Sequence, residues 1–326
     1  MAHLRDARPR TRPGRAIATV VATAMVAAWL AAAPAGPVAP AAADGNEAPG
    51  WPVRFRSITA GNHTCGITAS RTVKCWGKNA DGQLGLGDIS NRGDGQMGDA
   101  SLPSVSLGAG RTATALSAGD DHTCALLDNG AVKCWGKNAD GQLGLGDISN
   151  RGDGPGEMGD NLPPVDLGPG RTATAITAGG SHTCALLDDH TVRCWGTNWD
   201  GRLGLGDTDW RGDEAGEMGA NLPAVDLGTA RTATAITAGQ GHVCALLDNG
   251  TVKCWGFNSD GQLGIGGNST RGDGPGEMGD NLPTVNLGAG RSATAISAGG
   301  GHTCALLDDG SLKCWGGRKS TRLNYS

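Results

Sequence analysis

The sequence predicts an all-β fold, a β-propeller of four-stranded antiparallel blades with about five units. Three observations carry this reading. Two cysteines ten positions apart recur five times, at 65/75, 124/134, 184/194, 244/254 and 304/314, stepping by 59 once and then by 60. Short runs rich in Val, Ile, Thr and Leu, bounded by Gly, Asp and Asn, surround each pair, the composition of strands between turns. Helical periodicity is absent, and four short strands per unit of roughly 40–60 residues describe a blade rather than a helical solenoid.

The chain opens on a leader. Arg5, Arg8, Arg10, Arg12 and Arg15 precede an alanine-rich apolar run at 16–33, and Ala41-Ala42-Ala43 stands before Asp44. Basic, apolar and small-residue regions in that order describe a secretory signal peptide over 1–43. The rival is an uncleaved anchor, since about 18 apolar residues approach a bilayer span; the weak apolarity of alanine and the Pro-rich exit favour cleavage. Removing 1–43 takes away five arginines and one aspartate, leaving 22 basic and 31 acidic residues, a formal charge of −9. Such a chain is expected neither to bind nucleic acid, which needs a basic patch, nor to hold to a membrane once the leader is cut.

The 57 glycines alternate with Leu, Val and Ile at fixed positions, so they read as turns rather than disorder. Units fall near 57–115, 116–174, 175–234, 235–294 and, in part, 295–316, while the tail 317–326 matches no unit. Residues 74–95 and 133–154 are identical over 22 positions, the mark of duplication. In the third unit the strands are expected at 174–177, 182–187, 191–195 and, after a long insert at 207–221, 222–227. The fifth unit stops after its third strand, so the ring is either left incomplete or closed by an N-terminal segment such as 52–56.

Between Cys124 and Cys134 lie Ala125-Leu126-Leu127, Asp128-Asn129-Gly130 and Ala131-Val132-Lys133. A three-residue hairpin loop ending on a left-handed Gly is favoured, and it sets Cys124 opposite Cys134 within disulfide range. The same spacing places Cys65 opposite Cys75, Cys184 opposite Cys194, Cys244 opposite Cys254 and Cys304 opposite Cys314. Five cross-strand disulfides are therefore expected in an exported chain. A metal centre is the rival, but the close Cys-x2–4-Cys or His-x3–5-His pairs of zinc sites are missing; no metal and no cofactor are expected.

The segment GSHTCALLDDHTVRCWGTNWDGRLGLGD and its relatives resemble the repeat of the regulator of chromosome condensation propellers. The matching elements are Gly-x-x-His-[Thr/Val]-x-Ala-Leu and Trp-Gly-x-Asn-x-x-Gly-x-Leu-Gly-x-Gly, over roughly 57–316. Units of that family are about 50 residues in a seven-bladed ring, whereas these are lengthened by the insert. The family's exchange factor acts on a small nuclear GTPase and touches chromatin, but an exported acidic chain gives no ground for carrying that over. Secreted bacterial members, one of which inhibits β-lactamases through a propeller face, imply a protein-binding scaffold of inhibitor or adhesion type.

Within the repeat, His63, His122, His182, His242 and His302 are equivalent, which suits packed histidines bonding between blades better than a catalytic group in a distinctive environment. Asp81, Asp140, Asp200 and Asp260 sit in Asn-x-Asp-Gly, where Asx-turn chemistry explains them and EF-hand spacing is not met. Arg92-Gly93-Asp94 recurs at 151–153, 211–213 and 271–273, readable as adhesion triplets or as turns with local charge pairing. Gly-x-Gly stretches such as 85–87 lack the P-loop Lys-Ser/Thr, and no catalytic constellation stands out from the repeat. No catalytic residue is assigned.

The residues that break the repeat are more informative. Trp199 stands where other units have Ala80, Ala139 and Ser259; Trp210 replaces Asn91, Asn150 and Thr270; Phe257 replaces Lys78, Lys137 and Thr197. Loop aromatics are common binding anchors. Either these three form a partner-binding patch, or each ring covers a loop or a neighbouring blade. A secreted protein-binding scaffold is the resulting expectation, with a structural envelope or spore-surface protein and a carbohydrate-acting enzyme as alternatives.

Overall fold

A computed structural model describes residues 54–93 and 102–317. The expected leader and the tail from 318 onward lie outside the described residues. Unit one consists of β1 (Phe55–Ala60), β2 (His63–Thr68), β3 (Val73–Gly77) and β4 (Ser104–Val105). Units two and three hold β5 (Ala113–Ala118), β6 (His122–Leu127), β7 (Val132–Gly136), β8 (Ala173–Ala178), β9 (His182–Leu187) and β10 (Val192–Gly196). Units four and five hold β11 (Ala233–Ala238), β12 (His242–Leu247), β13 (Val252–Gly256), β14 (Ala293–Ala298), β15 (His302–Leu307) and β16 (Leu312–Gly316). Each unit is one antiparallel sheet in chain order, and the first strands of successive sheets lie side by side, as in a propeller. Among the described residues no helix is long and apolar enough to cross a membrane.

The hairpins have the expected register. Leu126 pairs with Val132 and Cys124 with Cys134, and Gly130 takes φ 79° in the turn. Arg71 and His190 hold the same position with φ 65° and 64°, a left-handed conformation that L side chains adopt at some cost. All five expected disulfides are formed. Cys65 is bonded to Cys75, Cys124 to Cys134, Cys184 to Cys194, Cys244 to Cys254 and Cys304 to Cys314, each pair with Cα atoms 4.0–4.1 Å apart. Cys194 and Cys254 are fully buried, whereas Cys314 lies on the exposed last strand, which no sixth unit covers among the described residues. In the covered units the bridges face the next sheet and are part of the packing between units.

The fourth strand is shorter than expected. Among the described residues only β4 forms a ladder, against Val73 and Lys74. Elsewhere the segment, 222–227 in unit three, keeps one bond to the sheet, from Val165 N to Val132 O, Val225 N to Val192 O, or Val285 N to Val252 O, each 2.8 Å. Pro163, Pro164, Pro223 and Pro283 stand in these segments, but unit one carries Pro103 at the same position and still forms its ladder, so proline does not account for the difference. Buried cations also bond these segments: Lys133 Nζ donates to Leu107 O at 3.1 Å and Gly159 O at 2.7 Å, and Lys253 repeats this with Leu227 and Gly279. Burial lowers both ammonium pKa values, with Asp160 opposing the shift at Lys133.

The core lies between sheets. Cys65, Ile67, Val73, Cys75, Leu84 and Leu107 of unit one close on Ala113, Ala125, Leu127, Trp135 and Leu162 of unit two. The same layer recurs at the next three interfaces. Trp135, Trp195 and Trp255 are fully buried, each worth about 3–5 kcal/mol against alanine. Each indole lies on a turn glycine of the preceding unit; a Cβ on Gly85 would stand 2.7 Å from Trp135 Nε1.

Phe55 and Arg56 belong to β1, which pairs with β2, so these two residues do not complete unit five; Pro52 and Val53 lie outside the described residues. Phe55 instead packs on Trp76, ring centroids 5.5 Å apart. It occupies the register position that holds Ala113 in unit two. Its ring covers Gly66, where the other units have Ala125, Ala185, Ala245 and Ala305. A Cβ on Gly66 would stand 2.4 Å from Phe55 Cδ1, so the large ring and the missing methyl are one exchange.

Candidate functional site

The turns between first and second strands meet at one end of the molecule. Backbone bonds run from unit to unit there: Asn62 N to Asp120 O, Asp120 N to Gly180 O, Gly180 N to Gln240 O and Gln240 N to Gly300 O, at 3.1–3.3 Å. Gln240 Nε2 also reaches over Gly180 to Asp120 Oδ2 at 3.3 Å, which a side chain at residue 180 would obstruct. Just beneath, Gly119, Gly179 and Gly239 admit the carbonyl of the next turn, 2.4–2.5 Å from where a Cβ would lie.

Three of the five equivalent histidines bond to the next unit. His63 Nε2 lies 2.6 Å from Thr123 Oγ1 of the next unit, His122 Nε2 2.9 Å from Thr183 Oγ1, and His242 Nε2 2.8 Å from Thr303 Oγ1. Each threonine hydroxyl donates its proton to a main-chain carbonyl of the preceding unit, Gln83 O at 2.9 Å in the first case. The hydroxyl therefore accepts from an Nε2–H, which places a proton on Nε2. Burial lowers His63 and His242 to about 4 and His122 to about 3, with Asp121 opposing the shift at His63. His182 breaks the pattern: unit four has Val243 in place of the threonine, and both ring nitrogens are buried without a hydrogen bond. Among the described residues no three His, Cys, Asp or Glu side chains stand together as a metal site.

The Asn-x-Asp-Gly turns follow Asx logic. Asn79 Oδ1 accepts from Leu84 N at 2.9 Å, and its Nδ2 donates to Asp88 O at 2.7 Å. The RGD triplets are drawn into the fold. Arg151 pairs through its backbone with Gly136 and through its guanidinium with Asp147 at 2.6 Å. Gly152 O accepts from Gly87 N of the preceding unit at 3.0 Å. Burial first, then the Glu157 carboxylate, raise the Asp153 carboxyl above its ordinary range. Asp94 of the first triplet lies outside the described residues.

Of the three repeat-breaking aromatics, Trp199 and Trp210 touch, edge to face with centroids 5.5 Å apart. Trp199 is 68% exposed, on the same turn as Asp200. Asp200 in turn borders a depression of about 430 Å³ between units three, four and five, where Phe257 lies. Two further exchanges line this depression. Arg202 stands where the other units have Gln83, Gln142 and Gln262, and its guanidinium bonds Asp200 at 2.5 Å. Gly241 stands where unit two has Asp121; a Cβ there would sit 3.2 Å from Phe257 Cβ. Arg202 is a single departure in its column, whereas the column of Gly241 varies throughout, with Asn62, Asp121, Ser181 and Gly301 in the other units.

A family model described as "Regulator of chromosome condensation (RCC1) repeat" matches residues 57–83, 113–142, 173–202, 233–262 and 293–317. A second model of that description matches 73–126 and 129–186. Among similar proteins are the human Probable E3 ubiquitin-protein ligase HERC6, 30% identical over 80% of this chain and 23% of its own length, and the Arabidopsis thaliana Ultraviolet-B receptor UVR8, 29% identical over 87% and 58%. Yeast RCC1 (Prp20), solved with Kap60 bound, superposes with a TM-score of 0.62 at 21% identity, over 81% of this chain and 56% of that one. Human WBSCR16 gives 0.60 at 20% identity, over 81% and 62%. The chain thus spans less than two thirds of these relatives, and the solved structures speak to the fold alone.

Proposed function

The chain belongs to the regulator of chromosome condensation (RCC1) repeat family, and from that premise we propose that it is an exported, non-enzymatic scaffold that binds a protein through the face carrying Trp199, Trp210 and Phe257. The observation that carries this is the gathering of repeat-breaking side chains on neighbouring turns of units three and four, beside an open depression. A structural repeat gains nothing in packing from a tryptophan left 68% exposed, whereas a rigid aromatic on a loop is a common interface anchor. Five disulfides favour an oxidising compartment and support the leader as a cleaved export signal. The acidic balance favours a protein over nucleic acid or an anionic membrane. Relatives bind proteins too: yeast RCC1 was solved bound to Kap60, and Prp20p is described with its binding to Gsp1p and histones. The internal engagement of the RGD triplets supports an inhibitor-type contact over an adhesion loop.

The test is affinity capture. The full chain, produced through its export route and immobilised, is exposed to secreted and envelope proteins of the source organism and its neighbours, beside a W199A/W210A/F257A variant. A protein held by the parent and released by the folded variant supports the reading; equal retention by both overturns it.

A further inference from the structure

We propose that the corner formed by Trp199 and Trp210, with Asp209 beside them, takes up an arginine side chain of the protein partner, an inference that rests on the binding face above. The repeat brings these positions together. Asn198 is fully buried, and its Nδ2 donates to Asp207 O at 2.8 Å and to Asp209 O at 3.1 Å. The turn that carries Trp199 is thereby tied to the insert that carries Trp210, and Asn79 and Asn258 bridge the same two segments in their own units. A backbone bond of 3.0 Å from Gly146 N to Gly212 O fastens the insert to unit two.

Unit three departs from the others at three of these columns at once. Ala80 and Asn91, Ala139 and Asn150, and Ser259 and Thr270 give way to Trp199 and Trp210, while Ser90, Ser149 and Ser269 give way to Asp209. In units one and two the asparagine serves the fold, its Oδ1 accepting from Asn79 N or Asn138 N at 2.9 Å. An indole has no acceptor with which to repeat this, so unit three forgoes a hydrogen bond of the repeat in favour of a ring. The two rings meet at 71°, edge to face, and Trp199 remains mostly exposed.

Charge selects the occupant. Arg202 is committed to Asp200 at 2.5 Å and Arg211 to Asp207 at 2.8 Å. Asp209 is exposed and bonded through its backbone, and among the described residues no donor or cation meets its carboxylate. It is the surplus charge of the corner. A guanidinium stacks its plane on an indole and, being weakly hydrated, gives up less water there than an ammonium. It also offers Asp209 charge-assisted hydrogen bonds. An anionic side chain is repelled by Asp209, and an aliphatic one covers the ring without meeting the carboxylate.

Titrating the full chain with Nα-acetyl-arginine methylamide and with its uncharged isostere, Nα-acetyl-citrulline methylamide, tests this through the NMR signals of the Trp199 and Trp210 indole N–H groups. The arginine amide should shift both signals at concentrations about threefold or more below those the citrulline amide needs, and added salt should narrow that gap. D209N keeps the shape of the corner and should bring the two amides within about twofold of each other. W210N restores the residue of units one and two, so it should remain folded by near-ultraviolet circular dichroism and bind the arginine amide about threefold more weakly. Equal response to the two amides in the parent, or an undiminished preference for arginine in D209N or W210N, overturns the arginine site. The scaffold reading is judged separately: a captured partner that D209N binds at full strength overturns the arginine site and leaves the scaffold standing. Arginine-selective binding in a protein that retains no partner supports the site without the scaffold.

Discussion

His63 of the first unit and Thr123 of the second, sixty residues apart, are joined at 2.6 Å by a buried hydrogen bond that continues to Gln83 O. Trp135 Nε1 donates to the same carbonyl at 3.1 Å, so one oxygen collects two side chains of the following unit. This is the polar seam at three of the four interfaces among the described residues, and at the fourth it is broken where Val243 faces His182.

Restoring it should stabilise the protein. V243T is expected to add about 1 kcal/mol by giving His182 a partner, while T123V should cost at least as much, because it leaves the His63 N–H buried and unpaired. Denaturant midpoints of the two variants check this; a V243T protein no more stable than the parent contradicts the seam.

Acid should loosen all the seams together. Burial holds His63 and His242 at about 4 and His122 at about 3, below the ordinary 6.5, and His182 lies well below it too. Their unfolded forms take up protons first, so the contribution is complete above pH 6.5 and disappears as pH falls towards 4 and then 3. The slope approaches about 1.4 kcal/mol per pH unit for each histidine involved. Unfolding free energy measured from about pH 7.5 down to about pH 4 should fall steeply; a flat profile refutes the neutral, buried assignment.

The exchange between Phe55 and Gly66 predicts a coupled pair. G66A forces a methyl against the ring and should cost about 1–3 kcal/mol, whereas the F55A/G66A double variant recreates the pairing of the other units and should recover much of it. Additive single effects in a double-mutant cycle argue against the exchange.

All ten cysteines should resist alkylation until reductant is added, and intact mass decides this directly. Each bridge closes a loop of ten residues' separation, worth about 2–3 kcal/mol in the chain-entropy account.

The hairpins and disulfides are legible in the sequence because their partners lie within ten residues and a glycine turn fixes the register. The histidine partners are not, since Thr123, Thr183 and Thr303 approach from the following unit; the one signal is that Val243 departs from threonine at a single place. The fourth strand reads longer than it is because its apolar residues do become buried, as Leu222, Val225 and Leu227 are, while its backbone keeps a single bond to the sheet, from Val225 N to Val192 O. At the candidate site, the aromatic departures stand out by size. Arg202 and Gly241 do not, because the meaning of an arginine for a glutamine, or of a lost aspartate, depends on which turns the propeller brings together.

The proposed binding face predicts that departures from the repeat, rather than the repeat itself, hold the partner. Titrating the captured protein against W199A/W210A/F257A and against K78A/N91A, altered at matching positions of unit one, tests it most directly. The first variant should lose affinity about a hundredfold or more while the second stays within about threefold of the parent, as expected when a few central anchors dominate an interface. Equal losses in both, or none in the first, would contradict it.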